Sequence, residues 1–547
     1  MELAARVIKR YDRLMMNTDN WRGDWQDIND YIVLRNGNII GRVEPGTKLT
    51  DKVYDSTAKD CNNNLSSVLK STLTNPAFKW FALKLRGMDE EDLKPVNDWL
   101  ESCSLAIFLA FSQSNFYKRI QTSWMELPAY GTDALLVEEK AIRRAGFNGF
   151  LFTTLDIGSY CVEEGNDGKI DTVFRKLELS AGNAVARWGN NAGAKALKYN
   201  NGDKPEEMVT YIHGVFPKDK AVGMETSQPF GSIYIAQDDK TIVQQGGFHE
   251  FPLCVTRWSG SEQYGRGCGH DSLPDVRTLN KAKELELKAW AKIIDPPLQV
   301  QNNSVIGKVR MVAGGITYTS PNREIKELQS QPRFDIGQIK GEELRASIKK
   351  TWYVDQLQFP PLTESQLMTA SEAIIRRDQM ERVLGATILG RIEDEKLNPL
   401  IERAFALMFR AGALPPPPPE VAELARRFNG EIDIEYESPL ARSQRMGDID
   451  AINRWLALIT PIIQNDPDVA DNADWDKIVR HSATVAGVPS SLMNSLDKVA
   501  AIRAAKVQAM QKQEANEDAM NAAETAGKMV PAMKTMQEQQ SGSGVTA

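Results

Sequence analysis

The chain is poor in the residues that usually carry chemistry. It has four histidines in 547 residues (His213, His249, His270, His481), scattered and without HExxH spacing, so a zinc hydrolase finds no support. Its five cysteines (Cys61, Cys103, Cys161, Cys254, Cys268) lie far apart with no CxxC pair. That argues against a zinc cluster or a disulfide framework and leaves buried free thiols as the expectation. No Gly-Lys precedes Ser or Thr, so the loop that cradles nucleotide phosphates in ATPases is missing. No window approaches the roughly 18 apolar residues of a membrane span, and the opening MELAARVIKRYDRL is charged and amphipathic, so neither a membrane partner nor a secretory leader is expected. Excess positive charge is missing too. Lys and Arg number 66 against 73 Asp and Glu, a net charge of −7, which argues against a general nucleic-acid binder. No catalytic residue, cofactor or metal is expected.

What is present is a folded chain, 42% hydrophobic and long enough for about two to four domains. The first 130 or so residues read as helices. Leu3, Val7, Tyr11 and Leu14 share one face, Trp25, Ile28 and Ile32 repeat the spacing, and Leu65, Val68, Leu69 and Leu73 form a stripe ending at Asn75-Pro76. From about Phe147 to Trp258 the pattern alternates. SYCVEE and KIDTVFRK flank Gly165-Asn166-Asp167-Gly168 as one hairpin, and SIYIAQDDKTIVQQ reads as another.

Helical spacing returns in DSLPDVRTLNKAKELELKAWAKIIDPP, where Asp271 or Ser272 can cap and Val276, Leu279, Leu287, Trp290 and Ile294 recur. A short strand-like stretch follows. GEELRASIKKTWYV, with Leu344, Ile348 and Trp352 on one face, then reads as a second helix. After a Pro-containing loop, Thr369 and Glu372 stand at capping-box spacing and open a helical run to Phe409, with kinks expected at Gly385, Gly390 and Asn398-Pro399. Pro415 to Pro419 form a stiff spacer, EIDIEYES is another strand, and helices follow around Trp455 and Trp475. The last part, rich in Ala, Gln, Met and Glu, has little to bury and needs neighbouring copies or stays mobile.

Three strings invite chemistry and are read otherwise. Gly265-Arg266-Gly267-Cys268-Gly269 lacks GxGxxG spacing and a βαβ setting, so tight turning accounts for its glycines. His270 beside Asp271 reads as a helix cap. Asp89-Glu90-Glu91-Asp92 and Glu393-Asp394-Glu395 read as solvated helix charge rather than a two-metal nuclease site.

Four stretches, in order, resemble the portal (head-to-tail connector) family of short-tailed phages related to the T7 group. They are the opening with Arg22, Trp25 and Tyr31 followed by LSSVLKSTLTNPAFKWFAL; VTRWSGSEQYGRGCGHDSLPDVRTLNKAKE; MTASEAIIRRDQMERVLGATILGRIEDEKLNPLIERAF; and the tail after ITPIIQNDPDVADNADWDKIVRHSATVAGVP. The resemblance implies an α+β, predominantly α-helical portal fold in a ring of about twelve copies. Double-stranded DNA would be packaged and ejected through its axial channel. The partners implied are the terminase large subunit, a tail adaptor, and the major capsid and scaffold or core proteins. The location implied is the capsid vertex of the virion, reached from the host cytoplasm.

By that mapping, residues 1–270 form a wing with a β-rich module at about 147–260. Residues 271–354 hold two stem helices (271–294 and 340–354) around a β clip at about 295–339. Residues 355–440 hold the channel loop and a kinked helix returning to the wing, and 441–547 form the crown and tail. The channel loop places Gln356, Gln358, Phe359, Glu364 and Gln366 toward DNA. Arg345, Lys349 and Lys350 of the stem are further DNA-facing candidates, and Lys308, Arg310, Arg323 and Lys326 of the clip are candidates for partner binding. Charge agrees in part, since residues 266–353 carry five more basic than acidic residues in an acidic chain. Two other classes stay open on sequence alone: a DNA-packaging or DNA-processing enzyme such as a nuclease, and a tail structural protein that touches no DNA.

Overall fold

The computed structural model describes residues 2–294 with short interruptions, two strand pairs between 298 and 327, residues 334–357, 382–421 with brief interruptions, and short stretches from 434 to 512. The chain divides into two compact units. The larger comprises Met1–Lys84, Ser102–Pro417 and Asp433–Gln444, and the smaller Leu85–Glu101, Pro418–Ile432 and Arg445–Ala547.

In the larger unit, α1 (Glu2–Met16) buries Ala4, Val7, Tyr11 and Leu14, the face read from its spacing. They pack with Cys161, Phe174, Ile212, Phe216, Ile233 and Ile235 on one side of a five-stranded antiparallel sheet. After α2 (Asp19–Ile28), α3 (Thr57–Leu73) buries Leu65, Leu69 and Leu73 and stops before Asn75-Pro76 as expected. The sheet runs in sequence order through β4 (Tyr160–Glu164), β5 (Ile170–Ser180), β6 (Met208–Pro217), β7 (Phe230–Ala236) and β8 (Thr241–Phe248), so both hairpins read from the sequence are present. Its other side carries the short helices α6 (Ala181–Trp188) and α7 (Ala194–Asn201), packed through alanines onto Tyr211, Tyr234 and Val243.

A second sheet, ordered β3 (Phe150–Leu155), β2 (Thr132–Glu139), β9 (Leu253–Arg257), lies against α5 (Phe116–Tyr130). Between them is an aromatic core of Trp80, Phe111, Phe116, Phe150 and Phe152, with ring centroids 4.6–6.3 Å apart. Such contacts add to area burial, the main driving force here. All five cysteines are free and buried, and burial pushes the Cys61 thiol up to about 11 and those of Cys103, Cys161 and Cys254 up to about 12.

Two long helices complete the unit. α8 runs Cys268–Ile294 and α9 runs Phe334–Thr351, so the first starts earlier than Asp271 and the second starts before 340 and ends before 354. Between them, Leu298–Gln299 pairs antiparallel with Lys326–Glu327, and Val305–Ile306 with Tyr318–Thr319. Irregular backbone occurs at or beside two of the three expected kink positions, while Gly390 continues in regular helix. Gly385 adopts φ +77°, and a π turn, Glu393–Leu397, directly precedes the helix Asn398–Arg410 with its Pro399. The start of that run near Thr369 lies outside the described residues. The expected strand in EIDIEYES is Ile434–Glu437, paired with β1 (Ala82–Leu85). In the smaller unit, Trp455 and Trp475 lie 6.4 Å apart and Arg503 pairs with Asp476 at 2.6 Å.

Candidate functional site

The base of the α8–α9 pair is held by several side-chain hydrogen bonds and an ion pair. The helices are antiparallel: Trp352 Nε1 donates to Ser272 Oγ at 2.9 Å, and Ser347 Oγ donates to Asp275 at 2.7 Å. Ser272 passes its own hydrogen to the Cys268 carbonyl at 2.7 Å, so it bonds back along the helix and does not cap it. Asp271 also lies inside the helix, because the chain enters helical geometry three residues earlier. His270 does serve this terminus: its Nδ1 accepts the Gly267 N–H at 3.3 Å. The Asn280 side-chain oxygen accepts from the Tyr54 and Asp55 amides at 2.8 and 3.2 Å, and Arg345 donates to Asp55 at 2.7 and 3.0 Å. Burial alone would raise the Asp55 carboxyl, but hydrogen bonds from Thr57 and Arg345 hold it below the usual range.

The glycines of 265–269 serve close approach rather than turning. A Cβ at Gly265, Gly267 or Gly269 would collide with the backbone carbonyls of Gly131, Pro128 and Ala129 respectively. None of the three has a positive φ. The end of α5 and the start of α8 therefore touch backbone to backbone, a packing open only to glycine. Beside this contact Trp21 stacks on Trp25, and Tyr264 and His270 meet these indoles tilted or edge-on, with ring centroids 5.2–6.0 Å apart and the Arg266 guanidinium 4.6 Å from the Trp21 ring centroid. Burial lowers the His270 imidazole to about 4.

A second tie holds the π turn to the β2–β9 strands. Glu395, read above as solvated, is almost buried. It accepts from the Arg257 guanidinium at 2.7 Å and from the Arg257 amide at 2.8 Å. The pairing partner lies 138 residues away, which no local charge pattern reveals. The next residue, Lys396, is fully buried on Asp133, which also accepts from Ser123. Its ammonium sits 4.9 Å from the Trp124 ring centroid. Further along, Arg403 donates to the Val137 carbonyl and to Glu250, which Arg410 also holds.

Among the described residues no cluster of three His, Cys, Asp or Glu side chains is suited to a metal ion. A cavity of about 160 Å³ is lined by Leu3, Arg6, Val7, Arg10, Phe174, Phe216 and Lys220, but Arg10 and Lys220 are already paired with Glu163 and Asp171. No described helix is long and apolar enough to cross a membrane.

Comparison with known proteins agrees with a structural role. The profile of the family described as bacteriophage head to tail connecting protein matches residues 4–493. The chain belongs to that family. Two relatives match over nearly full length. A probable portal protein of Bordetella phage BPP-1 is 25% identical over 96% of this chain and 94% of its own. A portal protein of Salmonella phage epsilon15 is 25% identical over 98% of this chain and 95% of its own. The connector is thus a phage portal protein at the head-to-tail junction of the virion, a structural component and not an enzyme.

The sequence-derived candidates fall unevenly on the connector. Lys349 and Lys350 are exposed on α9, whereas Arg345 on the same helix is committed to Asp55 and Glu342. Gln356 is exposed just beyond α9. Gln358, Phe359, Glu364 and Gln366, with Lys308, Arg310 and Arg323, lie outside the described residues, as does the acidic string at 89–92. Lys326 is placed on the short strand pair with Leu298–Gln299. Sequence reasoning missed Asp133, Lys396 and Arg257. The hint was Asp133 in the otherwise apolar strand DALLV, since a charge in such a run needs a buried partner.

Proposed function

We propose that the connector assembles as a closed ring of about twelve copies with an axial channel for duplex DNA, through head-to-tail contacts between neighbours. The observation that carries this reading is the division of α8. Its first half is buried on its own subunit through Leu273, Val276 and Leu279, and its second half exposes Leu285, Leu287, Trp290, Ile293 and Ile294. The periodic positions 287, 290 and 294 do not reach the core of the larger unit. An exposed apolar run of this kind favours association with further protein surface.

In this reading residues 1–270 form the wing, α8 and α9 the stem, the stretch between them the clip that meets first the packaging terminase and later the tail adaptor, and residues beyond about 440 the crown. The loop from Asp355 to Thr369 lines the channel. Narrower kinship with the T7 group is supported by the four sequence stretches alone, and the BPP-1 and epsilon15 relatives support the wider family. Exposed Lys349 and Lys350 can meet phosphates, and a modest number of such contacts suits DNA that must slide.

Negative-stain microscopy and light scattering of the purified chain test the proposal. Rings with an open axial hole wide enough for duplex DNA are expected. A strictly monomeric species at micromolar concentration and physiological salt overturns it.

A further inference from the structure

One face of the five-stranded sheet carries a polar ladder that the connector reading does not use. Arg175, His213, Tyr234 and Gln244 stand in register on β5, β6, β7 and β8. Directly opposed residues share a face of a sheet. Arg175 donates through Nε to His213 Nδ1 at 2.9 Å, which leaves the imidazole proton on Nε2, facing Ser232 Oγ at 3.1 Å. The His213 and Tyr234 rings stack face to face, with centroids 3.9 Å apart and planes within 2°. From α6, Arg187 donates to the Tyr234 hydroxyl at 3.4 Å and lies over the Tyr234 and Trp188 rings at 5.2 and 5.0 Å.

Two guanidinium groups thus converge on one phenol and one neutral imidazole. Arg175 is only 5% exposed. The other buried cations of the larger unit, Arg257, Lys396 and Arg403, each have a carboxylate in contact. Among the described residues, neither Arg175 nor Arg187 has one. Glu138 on β2 is felt electrostatically at Tyr234 but makes no ion pair with either arginine. A guanidinium cannot shed its proton, and a buried charge left without a counter-charge is unfavourable. The planar arginine fork matches the oxygens of a carboxylate or a phosphate.

We propose that Arg175 and Arg187, meeting at the Tyr234 hydroxyl, form an oxyanion subsite on this sheet. Arg175 is the fixed donor, held by the His213–Ser232 chain, and the exposed Arg187 is the arm that closes on the incoming group. Two sources share this chemistry: free phosphate, and an acidic side chain from another protein surface. The site goes beyond the ring reading and does not depend on it.

The test is thermal unfolding and calorimetry of the full-length protein titrated with sodium phosphate or sodium acetate, each against sodium chloride at matched ionic strength. Phosphate should raise the melting temperature saturably. Arg187→Gln, at an exposed position that should not impair folding, should weaken half-saturation about tenfold. Lys198→Gln, which removes an exposed cation from neighbouring α7, should behave as the parent. Saturation by acetate as well as phosphate identifies a site open to an acidic side chain, and saturation by phosphate alone identifies a phosphate site. If neither anion exceeds chloride, or Arg187→Gln responds like the parent, the subsite does not exist.

Discussion

Lys396 and Asp133 are 263 positions apart in the chain, yet the ammonium of one sits 2.7 Å from both carboxylate oxygens of the other with neither side chain exposed. Burial raises the Asp133 carboxyl, and the nearby ammonium and the Ser123 hydroxyl oppose that rise. The pair is a specification of position as much as a source of stability, because charges that must meet inside a protein tolerate little displacement.

Lys396→Met should therefore cost about 3–5 kcal/mol in urea unfolding, because it strands a buried carboxylate. Adding Asp133→Leu should recover more than half of the loss. A single variant as stable as the parent would mean that the two groups do not meet in solution.

Acid stability should carry the mark of His270. Its imidazole is held down at about 4 by burial, against an ordinary 6.5. The unfolded chain then binds the proton first, so the contribution is complete above about pH 6.5, is lost progressively as pH falls toward 4, and amounts to about 3 kcal/mol. His270→Gln should flatten the stability–pH curve in that window, and an unchanged slope would place His270 in solvent.

Gly267→Ala should lower stability by about 3 kcal/mol or prevent folding, since the added methyl meets the Pro128 carbonyl and backbone must separate. Gly337→Ala, in open space on α9, serves as the control and should be neutral or slightly stabilising by thermal melt.

On α9 two kinds of basic residue should separate. Arg345→Ala should loosen the α8–α9 base, with its effect fading as acid protonates Asp55, whose depressed carboxyl gives stability at neutral pH that is lost as pH falls through its folded value. Lys349→Gln with Lys350→Gln should leave the melting temperature intact and make DNA association less sensitive to salt, the log–log slope falling by about 0.9 for each phosphate these lysines neutralise. Equal slopes before and after would remove these lysines from the DNA path.

Gln356→Lys with Gln358→Lys tests the proposed channel loop. Assembly should be unaffected, while packaging slows or DNA retention fails, and the defect should ease as salt rises. Normal packaging at low and moderate salt would show that the loop does not face DNA.

Periodicity announced what periodicity can announce. The stripe Leu65, Leu69, Leu73, the two hairpins and the apolar face of α1 are local patterns, and each is present where its spacing placed it. Leu287, Trp290 and Ile294 repeat the same spacing yet face outward, because a helical stripe names a buried face without saying which molecule buries it. Glu395 looked solvated for a related reason: its partner Arg257 belongs to a distant strand, and charge patterning along one helix carries no information about that strand. The glycines at 265, 267 and 269 were visible as an anomaly, but the carbonyls that require them lie at the end of α5.

The π turn at Glu393–Leu397 also limits how this chain can change in length. Its extra residue lets the adjacent side chains Glu395 and Lys396 meet Arg257 on β9 and Asp133 on β2, strands paired in fixed register. Deleting one residue from the turn would rotate everything on its amino-terminal side by about 100° relative to the helix that follows. A change of residue count inside this turn would therefore part both buried pairs at once, whereas a side-chain exchange there would disturb at most one.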